Sequence, residues 1–177
     1  HGGDWNEELA PLVFFPCGAG QKLEQETRRA AQALSVSMRV CSTARNGSYS
    51  WAAQKGIPAL LLERGGNGRW TPEEVEADCE DVLRLMNHLG IRKEAFDAVP
   101  QTEIAKAVYE EAPADGYWFP EVCAGQEVLK DALLGRWKSS DGTQSCEVRA
   151  RFAGRILYET TALGVRRSDP LVAYGTA

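Results

Sequence analysis

The chain has 177 residues, 44% of them hydrophobic and 25% charged, with a net charge of −5. These are globular proportions, and the charges are interspersed, without the basic footprint that DNA or RNA requires. No apolar run has the length of a membrane span, and no charged-then-apolar stretch reads as a signal peptide, so neither nucleic acid nor membrane is an expected partner.

The opening HGGDWNEELAP sets His1 at the head of a glycine-rich turn. PLVFFP, from Pro11 to Pro16, reads as a short buried strand. QKLEQETRRAAQAL then reads as a helix, rich in helix formers, with Leu23, Thr27, Ala30 and Leu34 as its spaced positions. SVSMRV reads as a strand, and RNGSYSWAAQKG as a loop leading into a short helix that Gly56 stops. GIPALLLE is an apolar strand ending on the carboxylate of Glu63.

TPEEVEADCEDVLRLMNHLG carries the clearest helix signature. Thr71 is the expected N-cap, Pro72 takes the first helical position, Glu74 completes a capping box and Gly90 ends the helix. Val75, Cys79, Val82, Met86 and Leu89 fall on one stripe. Strand–helix alternation implies an α/β layer with largely parallel strands. From Gln101 onward, turn signals at 115–116, 124–125, 140–142, 153–154 and 168–170 space out short strands, as in a small all-β domain. The expected organisation is an α/β part over residues 1–98 and a β part over 99–177.

A layer of about three strands leaves its edges uncovered. That predicts further sequence ahead of His1, and an edge able to pair with a second copy in a homodimer. The five cysteines, Cys17, Cys41, Cys79, Cys123 and Cys146, are odd in number and hold no C-x-x-C pair. Separate thiols in a reducing cytoplasm are the expectation.

His1 and Glu63 are the residues with chemistry to offer. A zinc ion with an open coordination position lowers the pKa of its water to about 7, and a carboxylate at a strand end can then serve as base and later as acid. Glu63 meets the loop RGGNGRW at such an end, where open α/β sheets bind ligands. A salt bridge from Glu63 to Arg64 or Arg69 is the simpler use of the same carboxylate.

HGGDWNEELAPLVFFP together with GIPALLLERGGNG resembles the succinylglutamate desuccinylase/aspartoacylase family of zinc-dependent deacylases, relatives of the zinc carboxypeptidases. GYWFPEVCAGQEVLKDALLGRW, SSDG, AGRILY and SDPLVAYG resemble that family's C-terminal domain, so the likeness spans nearly the whole chain. It implies an α/β plus all-β fold: part of a three-layer αβα zinc-peptidase-like domain, then a lipoyl/biotinyl-like barrel-sandwich β domain. It further implies His1 as a zinc ligand, Glu63 as general base, Tyr49 lining the pocket, and a small N-acyl amino acid as substrate. Arg45 and Asn46 are polar candidates for a substrate carboxylate, and Tyr158 is the nearest counterpart of a tyrosine that some members contribute from the β domain.

The family's upstream His-x-x-Glu ligands have no counterpart, and its arginine in the short helix is absent, with Ala52, Ala53, Gln54 and Lys55 in that stretch. One imidazole does not make a tetrahedral zinc site. The expectation is therefore the C-terminal portion of a zinc deacylase, inactive alone. Two further readings stand beside it. One is a non-catalytic lipoyl-like interaction module, with Lys130 and Lys138 as solvated surface. The other is an N-terminal-histidine copper enzyme, in which His88 would have to be the second histidine.

Overall fold

The computed structural model describes residues 1–177. In chain order the first elements are β1 (Glu7–Leu9), β2 (Leu12–Pro16), α1 (Gln21–Gln32), β3 (Met38–Ser42), α2 (Ser48–Gln54), β4 (Leu61–Glu63), α3 (Pro72–His88) and β5 (Thr102–Ile104). The residues divide into two compact units, and the division is not one cut near residue 98. The first unit holds His1, Pro11–Arg64 and Trp70–Ile104; the second holds Gly2–Ala10, Gly65–Arg69 and Ala105–Ala177.

The first unit is built on one sheet in the order β4-β2-β3-β5. β2 and β3 run parallel, as do β3 and β5, but β4 lies antiparallel to β2. The expected parallel layer is thus a mixed sheet. The seven residues of α2 span about 10 Å, against about 17 Å for a five-residue strand. α2 thus carries the chain only part of the way back along the sheet, and β4 runs antiparallel to β2. Apolar Val13, Phe15, Ala31, Leu34 and Val36 pack between sheet and helix, with Leu60, Leu62 and Leu85 against them.

α3 begins as its sequence predicts. Thr71 Oγ1 accepts from the Glu74 amide at 3.2 Å, and Glu74 Oε2 accepts from the Thr71 amide at 2.7 Å. Its apolar stripe, however, is not its buried side. Val75, Val82 and Leu89 are 46%, 59% and 62% exposed, whereas Asp81 and Arg84 are buried. Beside the apolar contact of Leu85, the helix is held by charge at Asp81 and Arg84, where apolar side chains are the rule.

The cysteine expectation is corrected as well. Cys17 and Cys41 form a disulfide, their Cα atoms 5.6 Å apart, within the span such a bond bridges. Cys41 lies on β3 opposite Phe15 of β2, and Cys17 directly follows β2, so parallel pairing brings the two sulfurs together. Spacing along the chain does not show this. With a disulfide present, unpaired thiols no longer argue for a reducing compartment. No helix is long and apolar enough to cross a membrane.

The second unit adds β6 (Lys106–Glu111), β7 (Gly116–Pro120), β8 (Glu127–Val128), β9 (Leu133–Ser139), β10 (Ser145–Arg149), β11 (Gly154–Thr160), β12 (Gly164–Val165) and β13 (Pro170–Thr176). They form two antiparallel sheets. One has the order β1-β11-β13-β6 with β8 also on β11, and the other the order β10-β9-β7-β12. Trp118, Leu134 and Trp137 from the second sheet join Ile156, Val172 and Tyr174 from the first in one core. Gly135 lies directly under the Trp118 indole, where a Cβ would collide with the ring. β1 recruits the segment just after His1 into this unit, a strand that HGGDWNEEL does not announce.

Candidate functional site

β4 carries the central carboxylate. Glu63, its last residue, is 7% exposed and pairs in register with Leu12, the first residue of β2. Because β4 runs antiparallel, Glu63 lies at the opposite end of the sheet from the carboxyl ends of β2 and β3. His1 lies on the other edge of β4. Its terminal amine donates to the Leu62 carbonyl at 2.8 Å, and its own carbonyl accepts from the Arg64 amide at 3.1 Å. This is a one-residue parallel pairing centred on Glu63. The side chains follow the backbone, with His1 Nδ1 2.7 Å from Glu63 Oε2.

Such a carboxylate can serve an imidazole in two ways. It fixes the tautomer and ring orientation by accepting from Nδ1–H, and it provides a buried acceptor for a proton in transit. Tyr49 stands on α2 within the electrostatic reach of this pair. Its hydroxyl is 2.6 Å from Ser42 Oγ, and its ring stacks on Phe14 at 6.5 Å between centroids. Burial pushes the phenol above its usual range, and the negative charge of Glu63 adds to the shift, while the Ser42 bond opposes it.

Arg64, offered by the sequence as a partner for Glu63, engages α3 instead. Its guanidinium donates to Asp81 Oδ2 at 2.8 Å and to Asp78, and Asp81 also accepts from the Ser35 amide. Both Arg64 and Asp81 are buried. Arg64 thus ties the end of β4 to α3 through its side chain and to His1 through its amide. Sequence reasoning missed this network, although Asp78 and Asp81 lie one helical step apart on a helix beginning eight residues after Arg64.

Arg45 and Asn46 are exposed on the loop between β3 and α2. Arg45 donates to Gln54 Oε1 at 3.4 Å, which fixes the loop to α2. The structure therefore brings His1 and Glu63 together, sets Tyr49 near them, and leaves Arg45 and Asn46 at the surface. Tyr158 belongs to the second unit, 6.2 Å from Tyr109 between ring centroids. His88 is exposed at the end of α3.

No group of three or more His, Cys, Asp or Glu side chains that could hold a metal ion forms anywhere in the chain. A catalytic zinc takes three protein ligands. His1 with Glu63 does not meet that number, so these residues alone do not fit the ion.

No family model and no curated protein sequence matches the chain. Its fold is that of the C-terminal part of solved structures of succinylglutamate desuccinylase/aspartoacylase proteins. Among them is the ectoine utilization protein EutE (DoeB) of Ruegeria pomeroyi, at 18% identity and a TM-score of 0.86, covering 100% of this chain and 56% of that one. A succinylglutamate desuccinylase/aspartoacylase of Rhodobacter sphaeroides matches at 21% identity and a TM-score of 0.78, covering 99% and 56%. An aspartoacylase family protein of Mesorhizobium loti matches at 16% and 0.74, covering 98% and 55%. The chain therefore spans little more than half the length of the structures it resembles.

Proposed function

We propose that this chain supplies the His1–Glu63 part of a deacylase that hydrolyses the amide of a small N-acyl amino acid. The observation that carries the reading is the 2.7 Å approach of His1 Nδ1 to Glu63 Oε2, set in a fold shared with desuccinylase/aspartoacylase structures. In this reading unit one is part of a three-layer αβα domain, and unit two is a lipoyl-like barrel-sandwich domain.

Glu63 takes a proton from the attacking water and returns it to the departing amine. Its burial keeps that proton from exchanging freely with solvent, and Tyr49, hydrogen-bonded to Ser42, stands within reach of its charge. Zinc belongs to the reading as an ion that His1 would share with ligands from further polypeptide. Since the chain alone brings too few donors, no step is assigned to it.

Neither alternative gains support. The copper reading needs His1 and His88 at one ion, whereas His1 pairs with Glu63 and His88 is exposed at the end of α3. The interaction-module reading leaves the pairing of His1 with buried Glu63 without a purpose.

The test is a chimera in which this chain replaces the matched part of EutE (DoeB), assayed with zinc on N-acetyl and N-succinyl amino acids. Hydrolysis of at least one is expected. A folded chimera that cleaves none overturns the proposal.

A further inference from the structure

β1 is a three-residue edge strand that joins two segments of the second unit. On one side it pairs with β11, Glu7 with Thr160, Glu8 with Glu159 and Leu9 with Tyr158. On the other side its Glu7 carbonyl accepts from the Asn67 amide at 2.7 Å, and Glu8 bridges to Gly66. The turn before β1 packs on the same loop, since a Cβ on Gly3 would lie 2.8 Å from the Gly66 Cα. β1 therefore clasps together the residues that follow His1 and those that follow Glu63.

The weak point of this clasp is electrostatic. Residues directly opposite in an antiparallel pair set their side chains on one face, so Glu8 and Glu159 face each other. Glu159 is 6% exposed, and its Oε2 is buried without a hydrogen-bond partner. Its neighbour on β13 is Val172, an apolar core residue. One strand further, Glu110 of β6 is taken by Arg151, and Arg155 of β11 pairs with Glu127. Tyr158 and Thr160 flank Glu159 on its own strand, and Glu8 Oε2 accepts from the Ala124 amide at 3.4 Å. No cation from these elements meets the pair. Two carboxylates so placed do not both ionise readily, and one proton is held between them.

We infer that Glu8 and Glu159 are a proton-operated clasp, which holds β1 on β11 while they share a proton and lets β1 open when it leaves. Burial first, then Glu8, raises the Glu159 carboxyl from 4.5 to about 7 in the closed strand pair. In an opened strand the same carboxyl returns to its ordinary value, so opening releases a proton between pH 4.5 and 7. The opening equilibrium rises about tenfold per pH unit across that window and is level above it. With β1 open, the turn after His1 and the loop after Glu63 lose their common support. The inference goes beyond the deacylase reading and does not depend on it, since it concerns only how β1 is held.

The experiment measures amide exchange by NMR at pH 5 and pH 8, each rate divided by the intrinsic rate at that pH. The Ala10, Asn67 and Thr161 amides, which donate to the Leu157, Glu7 and Asn6 carbonyls, report on the clasp. Their protection is expected to be at least tenfold lower at pH 8. The Ala105 and Ala112 amides, which donate to the Thr176 and Asp169 carbonyls, should change less than twofold. Glu159→Gln should keep the three reporter amides protected at pH 8, and Glu8→Gln should reduce their loss at least threefold. Three results overturn the inference. They are equal protection at both pH values, an equal loss at Ala105 and Ala112, or a loss that survives either substitution undiminished.

Discussion

Arg64 and Asp81 form a buried ion pair, 2.8 Å between Nη2 and Oδ2, in the place where α3 would ordinarily bring a leucine or valine. Removing one partner strands the other charge in an apolar setting, which costs about 3–5 kcal/mol. Arg64→Met, which leaves buried Asp81 without its cation, should therefore lower the stability of the first unit by that amount in urea unfolding. Arg64→Met combined with Asp81→Leu should lose much less, since no lone charge remains. If the double variant were as unstable as the single, packing rather than charge would be the cause.

Tyr49 gives a pH signature. Its folded-state pKa lies above the ordinary value of about 10. At alkaline pH the unfolded chain loses the phenolic proton first, so this group's contribution to stability is full below pH 10 and falls as pH rises beyond it. Tyr49→Phe should flatten that decline and cost about 1 kcal/mol at neutral pH through the lost Ser42 bond. Thermal unfolding between pH 7 and 11 reads both effects.

Glu159 in the second unit gives another signature of the same sign. It faces Glu8 across the β1–β11 pairing, and burial first, then the Glu8 charge, raises its carboxyl to about 7. The folded state holds a proton that the unfolded state releases from about pH 4.5, so stability falls between pH 4.5 and 7. Glu159→Gln should remove that slope and raise stability at pH 8 by about 1–3 kcal/mol. An unchanged profile would show that the Glu159 carboxyl is not raised in the folded state.

The Cys17–Cys41 disulfide predicts a thiol count. Unfolded without reductant, the chain should react with three equivalents of a thiol reagent, from Cys79, Cys123 and Cys146, and with five after reduction. Reduction should cost about 2–4 kcal/mol, as closing a loop of this length implies. Five reactive thiols before reduction would contradict the pairing.

Local chemistry was legible in the sequence. The Thr71–Glu74 box, the strand at 12–16 and the carboxylate closing ALLLE depend on neighbours a few residues apart, and the structure holds them there. What failed was long-range. Val75, Val82 and Leu89 have helical spacing whichever way the helix turns, so the pattern alone could not tell a buried stripe from an exposed one. β5 lies past the composition shift near residue 100 yet pairs with β3, and β1 pairs with a strand 150 residues away. His1 and Glu63 were legible singly, by residue type and strand-end position, and the family likeness set them in one site; their direct contact across 62 residues was not legible.

The central claim is that Glu63 handles the proton of a hydrolytic site at which His1 also stands. Its most direct measurement is the rate of N-acyl amino acid hydrolysis by the zinc-loaded chimera with Glu63 and with Glu63→Gln, a change that keeps shape but removes the basic oxygen. A fall in kcat of about 10²–10⁴-fold with zinc content unchanged is the expected result. Hydrolysis within twofold of the unsubstituted chimera would contradict the claim.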